Sequence, residues 1–315
     1  MPEGSVNIKV IENSQVEISK DKIRFKMKGL PEEEYPKTVE YEDAYFIQIK
    51  MNDFIDLVNR TVFIIPQDRS SNSVNGAKIE FLDEDGKYKI RMVSTDGYRL
   101  ACVDRNVEIS ACPPESAIIP RKALLEIKRL SEDAEEEEIK IGFSNGNCIV
   151  MLNDFIMNMR ILSGEFPQYK EIIPQNFRYE FIILRSALLS ALRRISLITE
   201  RTGFVTYIFS ENSLRLFGSD PHLGEVSEEI TLDYYGEDIT TAFNARLMLD
   251  ILGNIECEEI CFKFVDSNTP AMILPKEYEG FFYLIMPISV EDILEDKIES
   301  AFSDEQSECV EEGDR

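Results

Sequence analysis

Cys257 and Cys261, four positions apart, are spaced to ligate a soft metal, Asp96 and Asp220 could hold a hard one, and His222 could move a proton near neutral pH. Each lacks the partners its chemistry requires. A tetrahedral site needs four donors, yet His222 is the single histidine and no second close cysteine pair completes the set. Asp96 stands in Ser94-Thr95-Asp96-Gly97 and Asp220 in Ser219-Asp220-Pro221-His222, neither beside a cluster of further acids, so both read as turn-forming aspartates. There is no nucleophile with an adjacent base and no glycine-rich phosphate cradle. The expectation is a protein without metal or cofactor that is not an enzyme, carboxylate-only acid–base catalysis being the one enzymatic route left open.

The basic residues are the other candidates. A net charge of −25 argues against nucleic acid as a partner. The average hides a sorting, because acids crowd Glu32-Glu33-Glu34, Glu132 to Glu138 and the C-terminal tail while bases gather on helical segments. Arg121 and Lys128 lie seven residues apart, as do Lys122 and Arg129, which puts bases on matching faces two turns along one helix. Arg185, Arg193, Arg194 and Arg246 mark the corresponding helices further on. Such bases are either ordinary solvated helix faces or, because they recur on equivalent helices, one basic lining beneath an acidic exterior.

The elements that must position these residues occur twice. A helical stretch opens each copy, at Asp53 to Arg60 and at Ala187 to Arg194. Ser94-Thr95-Asp96-Gly97 and Ile119 to Ile127 are followed about 124 residues later by Gly218-Ser219-Asp220 and Phe243 to Ile251, and alternating strands close each copy after Glu138 and Glu259. In the second copy Met248, Ile251, Leu252 and Ile255 form a core-facing stripe. Val6 to Lys37 mimics Ile139 to Lys170, so the back half of a third copy is expected at the N-terminus, with strands at Val6–Val10, Val16–Ile18 and Ile23–Met27. Asn75-Gly76 and Gly86-Lys87 are turn signals. A period this long indicates duplicated globular domains, expected at 1–42 (a half domain plus linker), 43–174 and 178–290, with an acidic, disordered tail over 291–315. Six scattered cysteines, no secretory segment and no apolar run of membrane-spanning length point to a reduced, cytoplasmic chain without a membrane partner.

Four phrases stand in order: Ser94 to Ala101, Ile119-Pro120-Arg121-Lys122, Gly164-Glu165-Phe166-Pro167-Gln168-Tyr169-Lys170-Glu171-Ile172-Ile173-Pro174, and Tyr283-Leu284-Ile285-Met286-Pro287-Ile288. Together they resemble the bacterial β sliding clamp, the processivity subunit of DNA polymerase III. The resemblance implies an α+β DNA-clamp fold of repeated domains, each with paired inner helices backed by antiparallel β-sheets. It also implies a head-to-tail homodimer that closes around double-stranded DNA without regard to sequence, provided the first domain is complete. By resemblance the DNA-facing bases are Arg60, Arg121, Lys122, Lys128, Arg129, Arg185, Arg193, Arg194 and Arg246.

The same resemblance implies a groove between the second and third domains that takes Leu/Phe-bearing linear motifs of the polymerase III catalytic subunit, the clamp loader and other clients. Carried over by position, its lining is Val74, Thr95, Gly97, Tyr98, Arg99, Leu100, Pro167, Ile172, Asn244, Leu247, Leu284, Ile285, Met286, Pro287 and Ile288. Read without the resemblance, Leu100, Leu284 and Met286 are better taken as plain core residues. The chain departs from the family in starting partway through the first domain, in Ser289 and Glu171 where basic residues occur, in a 68–73 loop without aromatic residues, and in its acidic tail. The alternative function is therefore a shortened clamp-like module that binds client peptides but does not close around DNA.

Overall fold

The computed structural model describes residues 5–11, 14–34, 44–67, 74–109, 116–132, 137–152 and 155–289. The expectations for the 35–43 linker, the 68–73 loop and the 291–315 tail lie outside the described residues. The chain divides into two compact units, Met1–Asp43 and Ala44–Arg315.

In the first unit β1 (Asn7–Ile11), β2 (Gln15–Lys20) and β3 (Ile23–Lys28) form an antiparallel meander. Strict alternation sorts its side chains by face. The register Ile8↔Ile18↔Phe25 and Val10↔Val16↔Met27 gathers six apolar residues on one side. That side is uncovered: Val10 is 73% exposed and Phe25 50%.

The second unit contains one series of elements twice. The first series is β4 (Tyr45–Lys50), α1 (Met51–Val62), β5 (Gly76–Glu84), β6 (Lys87–Thr95), β7 (Arg99–Val107), β8 (Ala117–Pro120), α2 (Arg121–Ser131), β9 (Glu138–Ser144), β10 (Asn147–Leu152) and β11 (Phe155–Arg160). After a single helical turn, α3 (Tyr169–Ile172), the order recurs as β12 (Tyr179–Leu184), α4 (Arg185–Ile195), β13 (Phe204–Ser210), β14 (Ser213–Asp220), β15 (Gly224–Thr231), β16 (Ile239–Asn244), α5 (Ala245–Gly253), β17 (Glu259–Phe264), β18 (Ala271–Pro275) and β19 (Phe281–Ile285). The β1–β3 meander repeats β9–β11 and β17–β19, as the partial third copy in the sequence leads one to expect.

Each series supplies two four-stranded antiparallel groups. In the first they are β4-β9-β10-β11 and β7-β6-β5-β8; in the second, β12-β17-β18-β19 and β15-β14-β13-β16. The inner two fuse, because β19 pairs with β7 in the register Phe281↔Val103 to Ile285↔Arg99 and makes one eight-stranded sheet. The two repeats thus share a sheet across their joint.

Helix α1 buries Phe54, Leu57, Val58 and Thr61, the spacing of one helical face, and packs on α2 as α4 does on α5. The stripe Met248, Ile251, Leu252 and Ile255 is fully buried, Ile255 lying just past the end of α5. Two-residue chemistry turns β5 into β6, where Asp85 and Gly86 both take positive φ between the paired Glu84 and Lys87. Asn75-Gly76 does something else. Gly76 opens β5 opposite Pro120, and a Cβ there would stand 2.5 Å from the Ile119 carbonyl oxygen, so this glycine permits close strand approach instead of a turn.

Candidate functional site

At the joint, the Thr95–Arg99 turn is fixed by its own side chains. Asp96 Oδ1 accepts from the backbone N–H groups of Tyr98 (3.0 Å) and Arg99 (2.9 Å), and Thr95 Oγ1 accepts from Gly97 N–H, with Gly97 at φ +93°. Asp220 makes the matching bonds to His222 (2.8 Å) and Leu223 (3.1 Å) in the other repeat. Both aspartates are turn-formers, as expected. Tyr98 carbonyl oxygen then accepts from Met286 N–H at 2.8 Å, which ties the chain leaving β19 to this turn.

Alternation along β7 and β19 divides the eight-stranded sheet into two faces. Ala101, Val103, Phe281, Tyr283 and Ile285 join the main core with the helices. Leu100, Cys102 and Leu284 point the other way, into a second apolar cluster with Val93, Ile118 and Met272. The segment through Phe166 and Tyr169 covers part of this cluster, and Val74, Ile173 and Phe177 flank it. An open cavity of about 620 Å3 shares Ile118, Leu162 and Phe166 with the cluster and adds Lys78, Arg160 and Gln168.

Tyr169 pins that segment. Its hydroxyl donates to Glu80, which also pairs with Lys78 at 2.7 Å, while Arg91 holds Asp104 with two 2.7 Å bonds alongside. Burial alone would raise the Glu80 carboxyl. The hydrogen bonds from Lys78 and Tyr169, with the charges of Lys78 and Lys170, outweigh it and hold the group below its usual range. Burial pushes the Cys102 thiol up to about 12, so it behaves as a small apolar side chain.

The expected groove residues separate into three groups. Val74, Leu100 and Leu284 share the second cluster, and Tyr98, Ile172, Met286 and Pro167 are exposed. Thr95 and Gly97 shape the turn, and Pro287 and Ile288 continue from Met286, with Ile288 N–H donating to Ala242 carbonyl at 2.8 Å. Of the rest, Ile285 and Arg99 require correction, while Asn244 and Leu247 are half-buried. Ile285 is fully buried in the main core because it sits one residue out of phase with Leu284. Arg99, out of phase with Leu100, is 7% exposed and turned toward α5, where Nη1 donates to Asp250 (3.0 Å) and to Leu247 carbonyl (3.3 Å). Asn244 caps α5, accepting from Leu247 N–H at 3.0 Å, and the Leu247 side chain packs on the main core. Sequence reasoning passed over Met272, Phe166 and Tyr169. The phrase around Phe166 and Tyr169 was signal enough, whereas Ala271-Met272-Ile273-Leu274 is apolar throughout and conceals which face each residue takes.

The nine expected DNA-facing bases also separate. Arg60 is a correction: its guanidinium lies 3.9 Å over the Phe281 ring and donates to Asp56, on the sheet side of α1. Arg185 is another, since Nη1 donates to the Leu252 carbonyl in the last turn of α5 and Nε to the Cys257 carbonyl beyond it. Arg121 and Lys128 are half-buried, with Arg121 Nε enclosed. Arg129 pairs with Glu126 and Arg194 with Glu228 while remaining exposed. Lys122, Arg193 and Arg246 are exposed and make no salt bridge among the described residues.

The family model for the central domain of the DNA polymerase III β subunit matches residues 48–168, and that for its C-terminal domain matches residues 170–289. The β sliding clamp of Caulobacter vibrioides is 27% identical over 268 residues, covering 85% of this chain and 72% of its own length. The solved DNA polymerase III β subunit of Thermotoga maritima is 28% identical with a TM-score of 0.77, over 90% of this chain and 76% of that one. The sliding clamp of Bartonella birtlesii, solved bound to griselimycin, is 27% identical with a TM-score of 0.78, over 92% and 78%.

Proposed function

The chain belongs to the β sliding clamp family of bacterial DNA polymerase III, and from that premise we propose that it is a non-catalytic processivity factor that encircles duplex DNA and tethers clients by a short apolar peptide. The observation that carries this reading is the second apolar cluster. Leu100 and Leu284 pair across β7 and β19 at the joint of the repeats, and Met286 and Ile172 stand exposed on the segments that leave it. Such walls can bury anchor side chains such as Leu or Phe at about 1.5–3 kcal/mol each, and methionine adapts to differing clients. The polymerase III catalytic subunit and the clamp loader are the clients the family relationship suggests.

For DNA, the support is Lys122, Arg193 and Arg246, exposed and without a salt bridge among the described residues; Lys122 and Arg246 stand at matching places on the equivalent helices α2 and α5, and such charges suit a diffuse attraction to phosphate that leaves the protein free to slide. For a head-to-tail ring, the support is the repeat itself. β15 is the counterpart of β7 but has no strand paired to its outer edge among the described residues and carries Glu225, Glu228 and Glu229, and β3 is the counterpart of β19 and carries Arg24, Lys26 and Lys28. A β3 edge on one copy and a β15 edge on another would rebuild the β19–β7 joint with opposite charges facing.

Griselimycin binding measured by calorimetry tests the groove. Met286 is exposed, so Met286→Ala should leave stability within about 0.5 kcal/mol while weakening binding by roughly tenfold, the loss of one buried anchor contact. Unchanged affinity in both Met286→Ala and Ile172→Ala removes the groove from this reading. Retention on closed circular plasmid, lost on linearisation, tests encirclement. Griselimycin binding without such retention is the outcome that favours the shortened interaction module.

A further inference from the structure

We propose that Asp250 is a positioning residue for the client groove: from the opposite side of the sheet it holds Arg99, and through Arg99 the turn that sets Tyr98 and Met286. This rests on the peptide-binding reading above. The connection is a continuous run of short polar contacts. Asp250 Oδ2 accepts from Arg99 Nη1 at 3.0 Å, and Arg99 Nε donates to Asp96 Oδ2 at 3.0 Å. The other oxygen of Asp96 holds the Tyr98 and Arg99 amides, and Tyr98 carbonyl holds Met286 N–H. Asp250 holds Arg99 on the side of the sheet away from the apolar cluster, since Arg99 and Leu100 leave β7 on opposite faces.

The second repeat separates this role from plain turn formation. There Asp220 forms the same turn with the same two backbone contacts, but Leu223 takes the place of Arg99 and is 57% exposed. The turn does not need an arginine to form. At the place of Asp250, the first repeat has Glu126, which pairs with Arg129 on its own helix. Among the described residues, the turn arginine and its helix acid pair only where two repeats meet beside the groove. Arg99 is 7% exposed, so its guanidinium depends on these acceptors, whereas Asp250 is 45% exposed and can be changed without opening the core.

The test uses the full chain, with griselimycin as the probe in calorimetry, thermal unfolding as the control, and amide hydrogen exchange at Met286. Asp250→Ala should bind roughly 3- to 30-fold more weakly, with faster exchange at Met286 and little change in melting temperature. Asp250→Glu, which keeps the acceptor, should recover most of the affinity. A wild type that binds griselimycin while Asp250→Ala binds within twofold of it overturns the role of Asp250 alone. Equal losses in Asp250→Ala and Asp250→Glu, or weaker binding with Met286 exchange unchanged, overturn it as well. A wild type that does not bind at all overturns the groove reading and this role together.

Discussion

A single residue's phase along its strand decides what it can do here. Leu100 and Leu284 enter the outer cluster; of their neighbours, Ile285 enters the core and Arg99 turns to α5. In Tyr283-Leu284-Ile285-Met286 every residue is apolar, so the sequence identifies the segment but not the phase, and family position transfers both residues to the groove. Tyr169 offers a test at the same scale. Tyr169→Phe removes a hydrogen bond to a charged, mostly enclosed carboxylate, and should cost about 1.5 kcal/mol in chemical denaturation. The Glu80 carboxyl is held below its usual 4.5 in the folded protein, so its contribution is fully present above pH 4.5 and is lost as pH falls through the lower folded value. The gap between wild type and Tyr169→Phe should therefore close below pH 4.5. A gap that persists there would show that Glu80 is not the partner that matters. The turn aspartates were legible because their chemistry is local, whereas the engagement of Arg60 and Arg185 was not, since Phe281 and the Cys257 carbonyl that hold them are distant in sequence.

At the scale of elements, the repeat told most of the story. Helical spacing located α1, α4 and α5, and the mimicry of Val6–Lys37 located the β1–β3 meander, because periodicities of 3.6 and 2 survive in any single amphipathic element. Gly76 shows where local signals mislead. Asn-Gly normally marks a hairpin turn, but here Gly76 lies against the Ile119 carbonyl, a contact made across 43 residues of sequence. Gly76→Ala should cost about 1–3 kcal/mol and accelerate hydrogen exchange first at the β5–β8 pairing. Protection of β8 unchanged by this substitution would mean the edge strand can shift freely to admit a Cβ.

At the scale of the molecule, the β1–β3 sheet carries an apolar face that solvent reaches. Uncovered faces of this kind bind hydrophobic dyes and promote association. Phe25→Ser should lower the fluorescence of a bound naphthalene sulfonate dye without altering griselimycin affinity, because the groove belongs to the other unit. Undiminished dye binding would place the accessible apolar surface elsewhere. The seam between the repeats is of the opposite character. Its antiparallel rungs from Phe281↔Val103 to Ile285↔Arg99 lie side by side, so a load directed along the strands falls on all of them at once. Only a load that peels them one at a time meets little resistance. In mechanical terms the two repeats form a stiff lever, and if the assembled protein must part to admit a strand of DNA, the hinge and the latch are to be sought away from this seam.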